Sequence, residues 1–401
     1  MAANRPLSVL CVATYEKGQE FLREARRAGC RVLLLTLDSL RHADWPRESI
    51  DETFYIPKNI PREALLKGVS GVAERETIDR IVALDDFDVE TAALLREHLR
   101  VAGMGETTAR YFRDKLAMRM RARYAGIAVP DFVHVLNRDA IAEYASRVPP
   151  PWLLKPRSQA AAIGIQRVSD QAALWQAIDA LGDERSFHLL ERFVPGDVYH
   201  VDSVIWDGRV VFAAAHKYGR PPWEVAHQGG VFTTRTLPRD GAEAEAVVSL
   251  NARVIEALGL RRGVSHTEFI RAHEDGRFYF LETSARVGGA HIVDVVEAAS
   301  GINLWREWAR LEVAGEDGQY QVPEPRLGYA GLALSLARQA EPDTSAYADP
   351  EIVMRVRKNH HAGLIVASPD PARVEALLDD YARRFAADFL AALPAPDRPS
   401  S

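Results

Sequence analysis

The chain has 401 residues with 50 Lys plus Arg and 56 Asp plus Glu, which gives a formal net charge of −6. This length exceeds one ordinary core and fits two or three packed subdomains. Because charges of both signs are interspersed, no long basic surface for nucleic acid is expected, and small-molecule chemistry is favoured.

Two cysteines, Cys11 and Cys30, are too few for a disulfide framework or a zinc site, and no histidine cluster has zinc spacing. The N-terminus lacks the apolar core of a signal peptide, and no apolar stretch has the length needed to span a bilayer. We therefore expect a soluble protein of the reducing cytoplasm that has no membrane partner.

The first hundred residues alternate short apolar runs with helical patterns. This β-α-β order predicts an α/β domain, in which helices cover a parallel sheet. The predicted strands are 7–14, 32–37, 52–56 and 81–84, and the predicted helices are 18–29, 62–76 and 89–99.

From about Asp114 the pattern changes to a mixed α+β region. Short apolar strands dominate it, and Asp207-Gly208 predicts a hairpin turn. The predicted strands are 152–155, 164–168, 187–193, 199–206, 210–216, 263–272 and 277–283, and the predicted helices are 115–124, 242–258, 290–299 and 303–313.

A last unit has predicted strands at 328–336, 352–356 and 363–367 and a helix at 371–390. The tail 394–401 is expected to be disordered. The predicted domains are therefore an N-terminal α/β domain (1–113), a central region (114–313), a C-terminal α+β subdomain (314–393) and the tail (394–401).

Two carboxylates interrupt neighbouring apolar strands at Glu268 and Glu282. Burying an ionised carboxylate costs roughly several kcal/mol unless the carboxylate is paired with a positive group or bound to a cation. Mg²⁺ is the natural candidate, because it prefers oxygen ligands and carboxylates. Period-two alternation puts Ser284 and Arg286 on the face of Glu282. The alternative is that both glutamates lie on a solvated face.

Lys155 ends an apolar strand and is followed by the small-residue stretch from Ser158 to Gly164. A lysine followed by such a loop can bind phosphate, because its ammonium group and the backbone N–H groups of the loop can contact phosphate oxygens. The alternative is a surface lysine before an ordinary loop. Lys115 is a weaker candidate, since it could simply begin an exposed helix.

Two further stretches are candidates for ligand contact. The segment from Leu190 to Asp202 has the pattern strand, sharp turn, strand, which can present backbone groups to an adenine edge and a carboxylate to a ribose, or form an ordinary hairpin. The segment from His216 to Arg235 contains Trp223 and Gly230, and it predicts either a substrate wall or a plain connecting loop.

In this order and spacing the motifs resemble the ATP-grasp superfamily across essentially the whole chain. The resemblance implies an N-terminal βαβ domain, a central two-part nucleotide clamp and a C-terminal sheet. It also implies ATP and Mg²⁺ (or Mn²⁺) as cofactors. The resemblance rests on Asp114-Lys115, Lys155-Pro156 with its loop, Glu191 with Gly196 and Asp197, and Glu268 and Glu282 with Arg286.

The resemblance also implies a role for each position. Lys155 and Arg286 would be catalytic, and Arg286 would bind the acyl phosphate or substrate carboxylate. Glu268, Glu282 and Ser284 would hold the metal, with Glu282 bridging. The nucleotide would contact Lys115, Lys155, Ser158, Ala161, Ala162, Glu191, Arg192, Phe193, Val194 and Asp197, and the substrate would contact Arg286, Gly288, Gly289, His291, Trp223 and Gly230.

Two departures from the family pattern stand out. Ser284 occupies the position where Asn is usual, which leaves the ligands of a second metal open. Ala160, Ala161 and Ala162 replace glycines in the loop.

The segment from Glu282 to His291 looks like the amino-acid ligase branch. That branch implies an ADP-forming carboxylate–amine ligase acting on small-molecule substrates, expected to be amino acids, with a homodimer as a common assembly. The alternatives are an ATP-grasp carboxylase or purine-pathway ligase, and a nucleotide-binding protein without turnover.

Overall fold

The computed structural model describes residues 5–160, 162–315 and 318–391. Ala161 and the tail 394–401 lie outside the described residues. The described residues form three sheets, with four, four and eight strands.

The N-terminal sheet is parallel, in the order β3-β2-β1-β4, and its central strands are buried on both faces. Apolar runs without alternation are typical of such strands, so the predicted βαβ opening is confirmed. Cys11 and Cys30 are free thiols in this core, with 0% and 1% exposure. The elements are β1 (Ser8–Ala13), α1 (Gln19–Arg27), β2 (Arg31–Leu37), β3 (Glu52–Ile56), α2 (Arg62–Ala73), β4 (Arg80–Ala83) and α3 (Val89–Leu99).

Two helices, α4 (Glu106–Arg110) and α5 (Lys115–Tyr124), lead into a second, smaller sheet. Asp114 caps α5, because its carboxylate accepts hydrogen bonds from the first backbone N–H groups of the helix. The small lobe is β5 (Phe132–His134), α6 (Arg138–Arg147), β6 (Trp152–Pro156), β7 (Gln166–Val168), α7 (Gln171–Leu181) and β8 (His188–Arg192). Its strand order is β5-β8-β6-β7, and its helices share one apolar core with the sheet.

The remaining strands form one antiparallel sheet in the order β13-β12-β9-β10-β11-β14-β16-β15. The C-terminal strands therefore extend the large sheet. Its elements are β9 (Gly196–Trp206), β10 (Arg209–Tyr218), α8 (Pro222–Gln228), β11 (Phe232–Thr236), α9 (Ala242–Leu258), β12 (Gly263–Ala272), β13 (Phe278–Ser284), α10 (Ile292–Ser300), α11 (Leu304–Ala314), β14 (Tyr329–Leu336), β15 (Ile352–Arg355), β16 (His361–Ser368) and α12 (Pro371–Asp388).

The turn after β8 joins two sheets. β8 pairs within the small lobe, whereas β9 pairs with β10 and β12 of the large sheet. The interpretation of this segment as an ordinary hairpin is therefore wrong, because consecutive strands need not pair with each other. The turn at Asp207-Gly208, by contrast, does connect the paired strands β9 and β10. Among the described residues, no helix combines the length and apolar character of a membrane span.

Candidate active site

A cavity of about 1020 Å³ lies between the small lobe and one face of the large sheet. The N-terminal domain contributes Asp85 and Asp86 to its wall. Most of the predicted site residues line this cavity: Lys115, Lys155, Ala162, Glu191, Arg192, Phe193, Val194, Asp197, Trp223, Gly230, Glu268, Glu282, Ser284, Arg286, Gly289 and His291. Its volume is at the upper end of the range of small-molecule sites, which is roughly 300–1,000 Å³.

Three other predicted site residues are not among the residues that line the cavity. Ser158 is outside the lining, and its carbonyl accepts a hydrogen bond from Arg113 at 2.7 Å. Gly288 is also outside it, and a Cβ added there would be 3.0 Å from Asp202 Oδ1 and from His266 Nδ1. Ala161 lies outside the described residues.

Glu268 and Glu282 are direct cross-strand partners on β12 and β13. Both line the cavity, with side chains 18% and 32% exposed. Directly paired residues share a face of the sheet, so the two carboxylates converge on the same space. The alternative of a solvated sheet face is wrong for this pair.

Lys115 begins α5 and reaches Glu282 with an Nζ–Oε2 distance of 2.7 Å. Its ammonium also donates to the carbonyl of Gln159 at 2.5 Å, in the loop after β6. Burial alone would raise the pKa of Glu282, but Lys115, together with Lys155 and Arg119, lowers it to about 2. Glu282 is therefore an anion at neutral pH. Lys115 is 8% exposed, so it does not begin an exposed helix.

Lys155 is held by a buried carboxylate. Its Nζ is 2.5 Å from Glu191 Oε1, and Arg119 Nε is 2.7 Å from Glu191 Oε2. Burial would raise the pKa of Glu191, but the two cations outweigh it and lower the pKa. Lys155 is only 8% exposed, so the surface-lysine interpretation is wrong. The Glu191 side chain orients Lys155 in the cavity wall.

Arg119 and Tyr218 were not identified from the sequence. Arg119 is four residues after Lys115 on α5, so both project from one helix face, a spacing that could have identified it. Tyr218 ends β10, and its hydroxyl donates to Glu268 Oε1 at 2.8 Å. In the sequence, Tyr218 is indicated only by its position two residues after His216, which puts both on the same face of a strand.

The connection between the sheets is lined by aromatic and charged groups. The Phe193 ring contacts the guanidinium of Arg167, whose carbon is 4.5 Å from the ring centroid, and its centroid is 6.2 Å from that of the Trp223 ring. Asp197 pairs with Lys217 at 2.7 Å. Trp223 belongs to α8, so the segment 216–235 is more than a plain connecting loop.

Arg286 follows β13 and faces the N-terminal domain. Its Nε is 4.0 Å from Asp86 Oδ1, and neither atom has a hydrogen-bond partner within the described ranges. The other oxygen of Asp86 accepts a hydrogen bond from Arg113. Nearby, His291 Nδ1 is 2.8 Å from Asp294 Oδ2. The Arg286 guanidinium thus retains donor capacity at the cavity edge.

A histidine cluster lies beside Glu268, whose cross-strand partner on β9 is His200. Ligand atoms of His200, Asp202 and His266 come within 4.8 Å of one another, although sequence spacing showed no such cluster. Burial, together with the neighbouring His200, lowers the pKa of His216 to about 3. Burial would also lower the pKa of His266, but Asp202 and Glu268 raise it to about 9.

Comparison with known proteins shows similarity of sequence and fold. A family described as ATP-grasp domain matches residues 148–294. The L-arginine-specific L-amino acid ligase of Bacillus subtilis is 27% identical over 262 residues, which cover 63% of this chain and 62% of that protein. A D-alanine–D-alanine ligase of Dechloromonas aromatica is 22% identical over 193 residues, 48% of this chain and 63% of that protein. The chain thus matches less than two thirds of the length of either relative.

A solved structure extends the similarity to the whole fold. The L-amino acid ligase from Bacillus licheniformis superimposes with a TM-score of 0.74 at 17% identity, covering 97% of this chain and 99% of that one. At this identity the similarity concerns the fold. Together with the domain match over residues 148–294, it shows that the chain has the ATP-grasp fold.

Proposed function

We propose that the chain is an ATP-dependent carboxylate–amine ligase that releases ADP and phosphate and joins amino acids through an acyl phosphate. The observation that carries the proposal is the cross-strand pair Glu268 and Glu282, facing a cavity that also contains Lys115, Lys155 and Arg286. Two carboxylates and three cationic side chains in one cavity suit a nucleoside triphosphate with its metal ion.

The carboxylates fit Mg²⁺ or Mn²⁺. Glu282 has a low pKa, and Glu268 accepts a hydrogen bond from Tyr218 at Oε1, so both carboxylates could offer an oxygen atom to a cation. Ser284 faces the same side as a weaker oxygen ligand. When bound, the cation would neutralise phosphate charge. Lys155 and Lys115 would bind phosphate oxygens, and Phe193 with Trp223 would enclose the base.

In the proposed reaction a substrate carboxylate oxygen attacks the γ-phosphorus, and the bond to the β-phosphate oxygen breaks to release ADP. The amine nitrogen of the second substrate then attacks the acyl carbon, phosphate leaves, and the amine proton passes to solvent. Arg286 would hold the carboxylate and the acyl phosphate in two-point contact. Catalysis would come from positioning and charge stabilisation.

The relatives support amino acids as substrates, because both are named as ligases of amino acids. The test is a pairwise matrix of amino acids assayed for ADP and phosphate. For an active pair, ¹⁸O in the substrate carboxylate should appear in the released phosphate. Release of AMP and pyrophosphate would contradict the acyl phosphate, and dependence on bicarbonate would favour a carboxylase.

Arg286→Lys tests the role of the guanidinium. We expect a loss of about 100-fold or more in kcat, because an ammonium cannot make a bidentate contact with a carboxylate. Arg338→Lys, in the C-terminal segment outside the cavity lining, is the matched control and should retain the wild-type rate. A wild-type rate for Arg286→Lys would remove Arg286 from the mechanism.

A further inference from the structure

One face of the large sheet carries a polar row that crosses four strands. His216 on β10 pairs with His200 on β9, His200 pairs with Glu268 on β12, and Glu268 pairs with Glu282 on β13. Directly paired residues lie side by side. The row therefore runs from buried histidines at one end to the two cavity glutamates at the other.

A second row lies beside the first. Asp202 on β9 pairs with His266 on β12, and His266 pairs with Ser284 on β13. His266 lines the cavity, and its direct neighbour Ser284 lines it as well. An imidazole therefore lies beside the serine that the proposed function offers as a weak oxygen ligand.

Hydrogen bonds fix the orientation of this imidazole. His266 Nδ1 is 2.9 Å from Asp202 Oδ1, and Asp202 is fully buried. A carboxylate acceptor requires the proton on Nδ1, so Nε2 faces away from Asp202. Asp202 is itself held by His200 Nδ1 at 2.7 Å, while His200 Nε2 contacts Thr234 Oγ1 at 2.7 Å. Both nitrogens of His200 are thus engaged within the protein.

The remaining nitrogen points at a carboxylate from a distance too long for a hydrogen bond. His266 Nε2 is 3.6 Å from Glu268 Oε1. The two atoms face each other across a gap that holds the proton on Nε2, and a cation that displaced this proton could occupy the same place. A divalent cation forms bonds of about 2.1 Å to nitrogen and oxygen ligands, so one ion can contact both atoms.

We propose that His266 is a nitrogen ligand of the divalent cation beside Glu268, and that Asp202 is the positioning residue that orients it. The inference rests on the proposed function, which supplies the cation. Imidazole nitrogen suits transition ions better than Mg²⁺, so the site should favour Mn²⁺ over Mg²⁺ more than a site of oxygen ligands would. A proton on Nε2 leaves to solvent when the cation binds.

The test uses Mn²⁺ and ADP with the full chain and needs no substrate. Pulsed EPR of the bound Mn²⁺ should show ¹⁴N coupling from a histidine. His266→Ala should abolish the coupling and weaken Mn²⁺ binding by about 10-fold or more, with a smaller effect on Mg²⁺ measured by competition. Asp202→Asn should retain Mn²⁺ but weaken its binding, by about 10-fold. His273→Ala, also at the cavity, is the matched control and should keep the coupling.

The wild-type spectrum decides the question even if a variant does not fold. Mn²⁺ bound without ¹⁴N coupling, with binding lost in Glu268→Gln, would overturn the histidine ligand and leave the proposed ligase intact. Absence of any Mn²⁺ binding with ADP would overturn the proposed function as well. Circular dichroism of each variant separates loss of the ligand from loss of the fold.

Discussion

The position of Lys155 is fixed because the Glu191 carboxylate accepts hydrogen bonds from both Lys155 and Arg119. We predict that Lys155→Ala lowers kcat by about two to three powers of ten, the scale for removing one charged stabiliser of a transition state. The fold should persist, since Arg119 still pairs with Glu191. Lys67→Ala removes an exposed lysine paired with Glu63 and should leave kcat unchanged. Near wild-type turnover of Lys155→Ala would contradict the phosphate role.

Glu191→Gln should act on stability as well as activity. Losing the charge of a buried ion pair costs about 3–5 kcal/mol, because Lys155 and Arg119 remain uncompensated. The pKa of Glu191 in the folded protein is below its ordinary value of 4.5. Its stabilising contribution is therefore full above pH 4.5 and declines as pH falls through the folded-state pKa.

Urea unfolding of wild type and Glu191→Gln at pH 7 and below pH 4.5 measures this contribution. The difference in unfolding free energy between the two proteins should be larger at pH 7. An equal difference at both pH values would show that the charge of Glu191 does not stabilise the fold.

At the scale of elements, the connection from β8 to β9 joins the two sheets around the cavity. A Cβ at Gly196 would be 2.3 Å from the carbonyl oxygen of Arg271 on β12. Gly196→Ala should therefore shift β9 and destabilise the protein by about 1–3 kcal/mol, as overpacking does. It should also weaken ADP binding, because Val194 and Asp197 flank the connection.

Gly68→Ala on α2 is the matched control. Nothing lies within 4 Å of a Cβ there, so alanine should stabilise the helix by about 0.5–1 kcal/mol. Thermal unfolding and ADP titration of both variants test the pair. Unchanged ADP affinity in a folded Gly196→Ala would show that the connection does not position the nucleotide site.

The sequence predicted many strands but not which sheet each one joins. The runs around β8 and β9 were identifiable because they are short, apolar and interrupted at Pro195-Gly196. Their separation into two sheets depends on pairing with β6 and with β12, which are distant in sequence. Periodicity reports the burial of a strand and carries no information about its neighbours.

At the scale of the whole molecule, nucleotide binding should couple the lobes that form the cavity. MgADP at about 100 times its Kd should raise the unfolding free energy by about 2.7 kcal/mol. Glu282→Gln should abolish most of this gain, because Lys115 and the metal both depend on its charge. Calorimetry with and without MgADP measures it, and an unaltered gain in Glu282→Gln would remove Glu282 from the metal site.

The fold of the whole chain determines which site residues could be predicted from the sequence. Lys155, Glu268 and Glu282 stand out because each charge interrupts an apolar strand. Asp86 and Asp202 do not stand out, since their importance comes from Arg286 and His266, which approach them only in the folded chain. Local pattern identifies a costly charge, and tertiary structure supplies its partner.

The buried thiols have a practical consequence for measuring motion. Cys11 and Cys30 are almost inaccessible, and burial raises the pKa of both, that of Cys30 to about 11. Thiol-reactive reagents should therefore leave the native chain unmodified at neutral pH. One cysteine introduced at an exposed site of the small lobe and another on the large sheet could then carry a fluorophore pair in an otherwise unaltered protein. Energy transfer between them would report how far the cavity closes as nucleotide is added.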